Sequence, residues 1–389
     1  MSLFKKPKYE KNTLMDRYTK LYGNEDDKHY TLEKILSLDC LINIIYSDRN
    51  NGKSYTVGKL FLIAAYYFDM EFMYVRRQDT DISRTAVRQW FEGLPIEKYT
   101  NGEYSGIDYY GEEIFFTYID EKGNIKKGKR IGHAAALSTS MQHLKSRQYP
   151  KVEFLVLEEF ITDQLYLNNE MKLFLNLLST VARSRKIKVF LLGNTDSPHC
   201  PYVEYYGIKK FDLMRPGDIE RYEFKRIDKR TGKEVITPIA VERCPLLEGQ
   251  DDDGLSLYAG DYADAIQGDK WAIEVTEMPT MEYDKENHKI LYEVVMEESS
   301  EKFVAQLIFD KTTNGLFMFV YPYNGRRHIK RHITTEFSTD PWYSQRFKDE
   351  IPAEVTMKKL MNDSKICYCN NKTGNLFQQV IIRERKGGF

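Results

Sequence analysis

Residues 41–68 carry the sequence LINIIYSDRNNGKSYTVGKLFLIAAYYF, and the order of its parts decides the fold. LINIIYS (41–47) is a short apolar run rich in β-branched residues, which predicts a buried strand. KSYTVGKLFLIAAYYF (53–68) is apolar over a length that predicts a buried helix. A polar loop with a single glycine joins the two. Strand, loop and helix in this order are the setting that a phosphate-binding loop requires.

The loop and the first helical turn match the Gly-Lys-Ser form of a phosphate-binding loop. Unpaired backbone N–H groups and the helix dipole favour an anion at this place. Lys53 is predicted to pair with phosphate oxygens, and the Ser54 hydroxyl with Mg²⁺. Ser47 stands where glycine is usual, and the alternative is a chance Gly-Lys-Ser in a turn. The predicted nucleotide-binding residues are Ser47, Asp48, Arg49, Asn50, Asn51, Gly52, Lys53, Ser54 and Tyr55.

A second motif, VEFLVLEEF at residues 152–160, is a nearly continuous apolar strand that ends in two carboxylates. A strand buried on both faces of a parallel sheet has this composition. Glu158, which is longer than the usual aspartate, is predicted to hold Mg²⁺ together with Ser54. Glu159 is predicted to polarise the attacking water. Taken alone, the pair could be two exposed acids that end a strand, but both motifs in the right order argue against that alternative.

Three polar residues further along the chain are candidates for catalytic roles. Arg183 and Arg185 follow an amphipathic helical stripe. They either complement the helix dipole or supply an arginine finger to the γ-phosphate of a neighbouring subunit, and the residue pattern alone favours the dipole. Asn194 ends the apolar run KVFLLGN (188–194) and is either a sensor that hydrogen-bonds water or the γ-phosphate, or a strand cap.

Strands that alternate with helices predict a doubly wound α/β domain over residues 37–205. Within it, residues 106–137 form two alternating runs around a Lys-Gly-Asn turn, which predicts an inserted β-hairpin. An N-terminal arm (1–36) precedes this domain and a connector (206–280) follows it. Residues 281–389 predict a smaller, β-rich α+β domain.

Three local patterns predict elements of this C-terminal region. Asn314-Gly315 between alternating runs predicts a hairpin turn. VTMKKLMND (355–363) predicts a short helix, and FQQVIIRER (377–385) predicts a last strand.

Composition limits the classes of function. Lys and Arg total 57 and Asp and Glu total 58, so the chain is not a polycation that coats nucleic acid, and any nucleic-acid contact must be local. Five scattered cysteines fit a reducing compartment. The longest apolar run, residues 60–68, is about half of the roughly 20 residues that cross a bilayer. We therefore expect a cytoplasmic protein without membrane contact.

Four segments resemble the ring-forming DNA-packaging ATPases of small tailed phages with protein-primed genomes, relatives of the terminase large subunit and the FtsK/HerA translocases. They are IIYSDRNNGKSYTVGK, EFMYVRR, ALSTSMQHLKSRQYPKVEFLVLEEFITD and LNLLSTVARSRKIKVFLLGNTDSP, and they cover most of residues 39–205. The resemblance implies an ASCE-type P-loop NTPase with a Rossmann-like sheet and a degenerate, RNase H-like C-terminal domain. It also implies that Arg183 acts in trans, with Arg185 its neighbour and Lys145 a second trans-acting cation.

The function implied by this resemblance is an ATP- and Mg²⁺-dependent motor that pumps double-stranded DNA into a procapsid. The implied partners are DNA, further copies of the chain in a homomeric, pentameric ring, and the procapsid portal; a packaging RNA is left open. The implied location is the host cytoplasm, with transient attachment to the assembling virion.

Two other functions stay open. One is a terminase that also cuts DNA, for which Asp310 is the best single acid, and the other is a non-hydrolysing nucleotide-binding scaffold in which Glu158 disables metal binding. A motor must grip every sequence, so its DNA contacts are expected to be phosphate-directed cations. The candidates on the inserted hairpin are Lys126, Lys127, Lys129 and Arg130. A second basic cluster is expected to dock on a portal or an RNA rather than in the DNA channel, and it consists of Arg326, Arg327, His328, Lys330, Arg331 and His332. The alternative for either cluster is a solvated face.

Overall fold

The structure is a computed structural model that describes eight stretches of the chain. These stretches are residues 30–48, 51–139, 147–162, 166–228, 232–245, 271–298, 301–335 and 338–383. Three predicted site residues, Arg49, Asn50 and Lys145, lie outside them, as do residues 1–29 of the predicted arm. The chain divides into two compact units, Met1–Thr162 with Tyr166–Ser256, and Asp163–Leu165 with Leu257–Phe389.

One large sheet forms the first unit. Within the described residues its strands are β1 (Ile42–Ser47), β2 (Glu71–Arg76), β3 (Gly106–Tyr110), β4 (Glu113–Ile119), β5 (Ile125–Ala136), β6 (Val152–Glu158), β7 (Lys188–Asn194), β8 (Ile219–Ile227) and β9 (Glu234–Arg243). Their order across the sheet is β3-β4-β5-β2-β6-β7-β1-β9-β8. Neighbours from β5 to β9 pair in parallel, whereas β3, β4 and β8 join antiparallel at the flanks. The predicted α/β class is confirmed.

Helices connect the strands of this sheet. They are α1 (Glu33–Ser37), α2 (Lys53–Phe68), α3 (Arg84–Trp90), α4 (Ile96–Tyr99), α5 (Glu170–Ala182) and α6 (Pro201–Tyr206). Helix α2 is the most deeply buried because its middle is apolar on all sides, as the sequence predicted. Phe61 of α2 stacks on Phe72 of β2 with ring centroids 4.7 Å apart, which fixes the helix against the sheet.

The first unit extends further along the chain than the sequence predicted. The predicted connector (206–280) contains β8 and β9, and β9 pairs in parallel with β1. Ile239, Ala240 and Val241 of β9 are completely buried, so this strand belongs to the core. Its partner β8 is an edge strand whose mostly exposed, charged residues conceal the strand pattern.

The inserted hairpin is formed by β4 and β5, which pair antiparallel from Glu113↔His133 to Ile119↔Ile125. Strand β3 adds to β4, so the insertion contains one more strand than predicted. In the sheet it lies at the edge, and the second half of β5 pairs in parallel with β2.

The second unit has its own sheet, with strand order β14-β13-β10-β11-β12-β15. The described elements are α7 (Ala272–Val275), β10 (His288–Glu298), β11 (Glu301–Asp310), β12 (Gly315–Pro322), β13 (His332–Thr334), β14 (Tyr343–Ser344), α8 (Pro352–Asn362), β15 (Ile366–Tyr368) and α9 (Asn371–Leu376). The β11–β12 turn at Asn314-Gly315 and the short helix α8 agree with the sequence. Residues Phe377–Arg383, predicted as a strand, form π-helical turns instead. The RNase H-like assignment stays a prediction. No helix in the described stretches is long and apolar enough to cross a membrane.

Candidate functional site

The predicted site residues meet at one edge of the first sheet. Strands β6, β7 and β1 are parallel neighbours, so their carboxyl ends lie side by side. Glu158, Asn194 and Ser47 are the last residues of these strands, and Ser47 is in register with Asn194. Ligands of open α/β sheets bind at this edge.

Lys53 is the centre of the loop. Its ammonium donates to the Ser47 hydroxyl at 2.7 Å, to the Asp48 carbonyl at 3.0 Å and to Oδ1 of Asn194 at 3.2 Å. Burial lowers the pKa of Lys53, because desolvation disfavours its charged form. A buried cation whose partners are mainly neutral oxygens is ready to exchange them for the charged oxygens of a phosphate. The Asn194 side chain thus belongs to the loop, whichever of its two predicted roles applies.

The backbone around Gly52 shapes the loop. Gly52 has φ 81°, in the left-handed region that glycine adopts without strain, and α2 begins at the next residue. On either side, Asn51 donates its amide to the Pro245 carbonyl at 2.9 Å, and the Thr195 hydroxyl donates to Oδ1 of Asp48 at 2.6 Å. These contacts tie the loop to the segments that follow β9 and β7. The amino end of α2 therefore faces the site, where its free N–H groups favour an anion.

Glu158 and Ser54 form the predicted metal site. Glu158 is 7% exposed, and its carboxylate accepts a hydrogen bond from the indole N–H of Trp90. Burial raises the pKa of Glu158, and the nearby Trp90 indole and Ser54 hydroxyl oppose the rise. A hydroxyl beside a carboxylate supplies the hard oxygen ligands that Mg²⁺ prefers, so these residues fit the ion that the sequence predicted.

Glu159, unlike Glu158, is exposed. Its backbone has φ 56°, a left-handed conformation uncommon for a non-glycine residue, and its side chain is 56% exposed. Oε2 of Glu159 lies 2.8 Å from a guanidinium nitrogen of Arg76, the last residue of β2. Arg76 is not among the residues predicted from the sequence. The signal that could have found it is the charged end of EFMYVRR, because β2 is the neighbour of β6.

Arg77, the next residue, fixes the segment behind the carboxylates. Its guanidinium lies 2.9 Å from Oε2 of Glu170 at the start of α5, and it donates to the Phe160 carbonyl at 3.1 Å. Arg77 and Glu170 are both buried. Sequence reasoning missed this ion pair as well, because its members are far apart in the chain.

Arg183 and Arg185 lie at the opposite edge of the sheet from Lys53. Arg185 donates to the carbonyls of Tyr149 at 2.6 Å and Val152 at 2.7 Å, and Val152 begins β6. Arg183 is exposed, has φ 52° and ψ −110°, and makes a 3.3 Å hydrogen bond to the Arg147 carbonyl. Arg185 thus stabilises the chain at the start of β6, whereas the guanidinium of Arg183 lies at the surface.

Other predicted residues have local partners. Tyr55 lies in the first turn of α2, with the Lys59 ammonium 4.6 Å from its ring centroid. On the insertion, Lys129 pairs with Asp69 at 2.8 Å and Arg130 with Glu71 at 3.1 Å. In the second unit, a buried ion pair joins Arg331 and Glu354 at 2.6 Å.

Comparison with known proteins supports the resemblance noted from the sequence. Residues 25–216 match the model of the podovirus DNA encapsidation protein (Gp16) family. The resemblance noted from the sequence is thus confirmed over this region. The matched range includes the phosphate-binding loop, the two carboxylates and Arg183.

Two curated relatives and one solved structure are similar to the chain. The DNA packaging protein of Bacillus phage phi29 is 30% identical over 201 residues, which are 49% of this chain and 55% of that protein. The DNA packaging protein of Bacillus phage B103 is 28% identical over 178 residues, or 45% of this chain and 50% of that protein. The match thus spans about half the length of these relatives. The bacteriophage phi29 viral genome packaging motor assembly contains a chain that aligns with a TM-score of 0.54 at 19% identity, covering 90% of this chain and 97% of that one.

Proposed function

We propose that this encapsidation-family protein is an ATPase that drives double-stranded DNA into a procapsid. One observation carries the proposal: the buried Lys53 of a Gly-Lys-Ser loop after β1 and the buried Glu158 at the end of β6 lie at the same carboxyl edge of one sheet, with only β7 between their strands. Cation, free N–H groups and hard oxygen ligands are what a metal-bound triphosphate requires.

Each side chain has one task in this proposal. Lys53 binds phosphate oxygens in place of its present carbonyl partners. Ser54 and Glu158 hold Mg²⁺, which neutralises negative charge on the phosphates when it is bound. Glu159 orients the attacking water, and Arg76 fixes where its carboxylate can reach. Asn194 keeps Lys53 aligned and senses the terminal phosphate.

The proposed active form is a homomeric, pentameric ring at the portal. Arg183 lies at the edge of the sheet opposite Lys53, so it serves the loop of a neighbouring copy rather than its own. Lys145 is proposed as a second trans-acting cation, and Arg185 as the residue that supports Arg183. The chain is proposed to act in the host cytoplasm and on the assembling virion. Its proposed partners are DNA and the portal, and a packaging RNA is a further candidate partner.

Hydrolysis of ATP by purified protein, with and without double-stranded DNA, tests the proposal. DNA is expected to stimulate phosphate release from assembled rings. Lys53→Ala should abolish nucleotide binding, and Glu159→Gln should abolish turnover while nucleotide still binds. The matched control is Lys151→Ala, which removes an exposed lysine paired with Asp69 and should leave the rate unchanged. Equal rates with and without DNA in assembled rings would contradict a motor.

A mixing experiment tests the role of Arg183 between subunits. Arg183→Ala and Lys53→Ala proteins should each be inactive alone. A mixture should regain turnover, because some interfaces then join an intact loop to an intact arginine. Absence of recovery in rings shown to contain both variants would exclude the trans role.

The nuclease alternative is not favoured by the surroundings of Asp310. Its carboxylate accepts hydrogen bonds from the Thr312 N–H at 2.8 Å and the Thr313 hydroxyl at 2.6 Å in the β11–β12 turn. The Asp310 side chain thus stabilises the β11–β12 turn.

A further inference from the structure

Trp90 places a hydrogen-bond donor beside the predicted metal site. It is the last residue of α3, and its indole N–H donates to Oε1 of Glu158 at 2.5 Å. The ring packs in an aromatic cluster, with its centroid 5.1 Å from that of Tyr74 and 6.0 Å from that of Phe61. A ring fixed by neighbours on β2 and α2 holds its N–H in one direction.

Gly58 has no side chain, which leaves space for the indole of Trp90 against α2. A Cβ at this position would lie 3.0 Å from Cδ1 of Leu94 and 3.7 Å from Cζ3 of Trp90. Glycine inside a helix is about 1 kcal/mol less favourable than alanine, so its presence in α2 needs a packing reason. The close approach of these two side chains supplies that reason. Gly58 also lies one turn after Ser54, so one face of α2 presents the hydroxyl to Glu158 and a gap to the indole.

Glu158 needs such a restraint more than an aspartate would. A glutamate has one more rotatable bond, and its carboxylate can occupy more positions relative to Ser54. With Oε1 held by the indole, fewer orientations of the carboxylate remain beside Ser54. Partners that orient a metal-binding carboxylate typically change metal affinity by about 10–100-fold when removed.

We propose that Trp90 is the positioning residue of the metal site, and that Gly58 is the glycine that permits its position. The indole of Trp90 orients the Glu158 carboxylate for metal binding at a position where the shorter aspartate would not need this restraint. This inference rests on the proposed function, because it assumes that Ser54 and Glu158 hold the divalent cation of a bound nucleotide.

Nucleotide binding without turnover tests the role of Trp90. The Kd of fluorescent mant-AMPPNP is measured twice, in Mg²⁺ and in EDTA, and the ratio of the two values reports the metal's contribution. Trp90→Phe keeps an aromatic ring and removes the N–H. We expect the Kd in EDTA to stay unchanged and the Kd in Mg²⁺ to rise about 10-fold or more. The control is Trp342→Phe in the second unit, where the side chain is half exposed and both values should match the wild type.

Two further variants keep the test decisive. Gly58→Leu should raise the Kd in Mg²⁺ in the same direction, because a Cβ at this position already lies 3.7 Å from the indole and the longer side chain would displace the ring; this variant decides the matter if Trp90→Phe does not fold. Glu158→Asp shortens the acid beyond reach of the indole, so adding Trp90→Phe to it should cause no further loss.

The possible failures are distinguishable. If the wild type binds mant-AMPPNP more tightly in Mg²⁺ than in EDTA and folded Trp90→Phe shows the same ratio, the role of Trp90 is overturned and the proposed function stands. If the wild-type ratio is one and no ATP is hydrolysed, the proposed function itself is overturned, and the inference with it.

Discussion

Replacing Arg77 with methionine should destabilise the first unit strongly. Arg77 is 9% exposed and Glu170 is 2% exposed, and the two side chains are joined by hydrogen bonds of 2.9 and 3.2 Å. Methionine fills similar volume but leaves the Glu170 carboxylate buried without its cation. Because Arg77 also donates to the Phe160 carbonyl, the substitution releases the segment that directly follows Glu159.

The expected loss follows from the remaining partners of Glu170. Breaking a buried ion pair by removing one member typically costs about 3–5 kcal/mol. Glu170 still accepts from the Tyr202 hydroxyl at 2.9 Å and the Leu167 N–H at 2.8 Å, so we expect about 3 kcal/mol, the lower end of that range. Adding Glu170→Gln should recover at least half of the loss, because a neutral amide needs no cation, keeps its oxygen as an acceptor for the Leu167 N–H and can donate its N–H to the Tyr202 hydroxyl.

Urea unfolding measures this effect in the full chain. Trp271→Phe and Trp342→Phe leave Trp90 as the single tryptophan, so its fluorescence reports the first unit alone. The matched control is Arg221→Met, since Arg221 also pairs with a glutamate, Glu223, but the two side chains are 48% and 40% exposed. Exposed ion pairs contribute little, so the control should unfold near the wild type. If Arg77→Met unfolds at the same urea concentration as Arg221→Met, the pair with Glu170 does not stabilise the unit.

Three further predictions concern single contacts. Burial raises the pKa of the Glu242 carboxyl, so the folded chain binds this proton more tightly than the unfolded chain and loses stability as pH rises above about 4.5. Glu242→Gln should therefore raise the urea midpoint at pH 7.5, and this gain should disappear towards pH 4. An equal gain at both pH values would contradict the raised pKa. Thr195→Val removes one hydrogen bond from the Asp48 carboxylate, which should then repel the phosphates more strongly and weaken mant-AMPPNP binding about 10-fold. Asp48→Asn added to it should restore the affinity, and a loss that the double variant keeps would show that Thr195 acts otherwise. Asp310→Asn should lower the urea midpoint of the second unit by loss of its turn contacts and leave supercoiled plasmid as intact as the wild type does; nicking by the wild type that the variant lacks would restore the nuclease alternative.

The parts of the fold that local pattern governs could be predicted from the sequence. Residues 41–68 and 152–160 are apolar over lengths that distinguish strand from helix, and both elements have the predicted type. Residues 219–227 could not be found this way, because an exposed edge strand needs no apolar alternation. Residues 377–383 were predicted as a strand because a short apolar run has no period that separates strand from helix.

The site was predictable only in its motif residues. Lys53, Ser54 and Glu158 follow from two local patterns and come together as expected. Arg76 contacts Glu159 because β2 is the neighbour of β6, and Trp90 contacts Glu158 from the helix that follows β2. No local sequence pattern predicts which strands are neighbours. Contacts across strands depend on the strand order, which a single sequence does not contain.

The two edges of the sheet have different consequences for binding and for hydrolysis. Lys53, Ser54 and Glu158 occupy the carboxyl edge, and one chain supplies all three. Arg185 holds the carbonyl of Val152 at the amino end of β6, and with about 3.3 Å per residue the strand separates it from Glu158 by roughly 20 Å. Arg183 lies two residues away from Arg185, too far to reach a phosphate at Lys53 of its own chain. If Arg183 is the cation of the transition state, a single subunit is complete for binding ATP and incomplete for cleaving it. Assembly then starts hydrolysis, so a chain that is free of the ring holds its nucleotide intact.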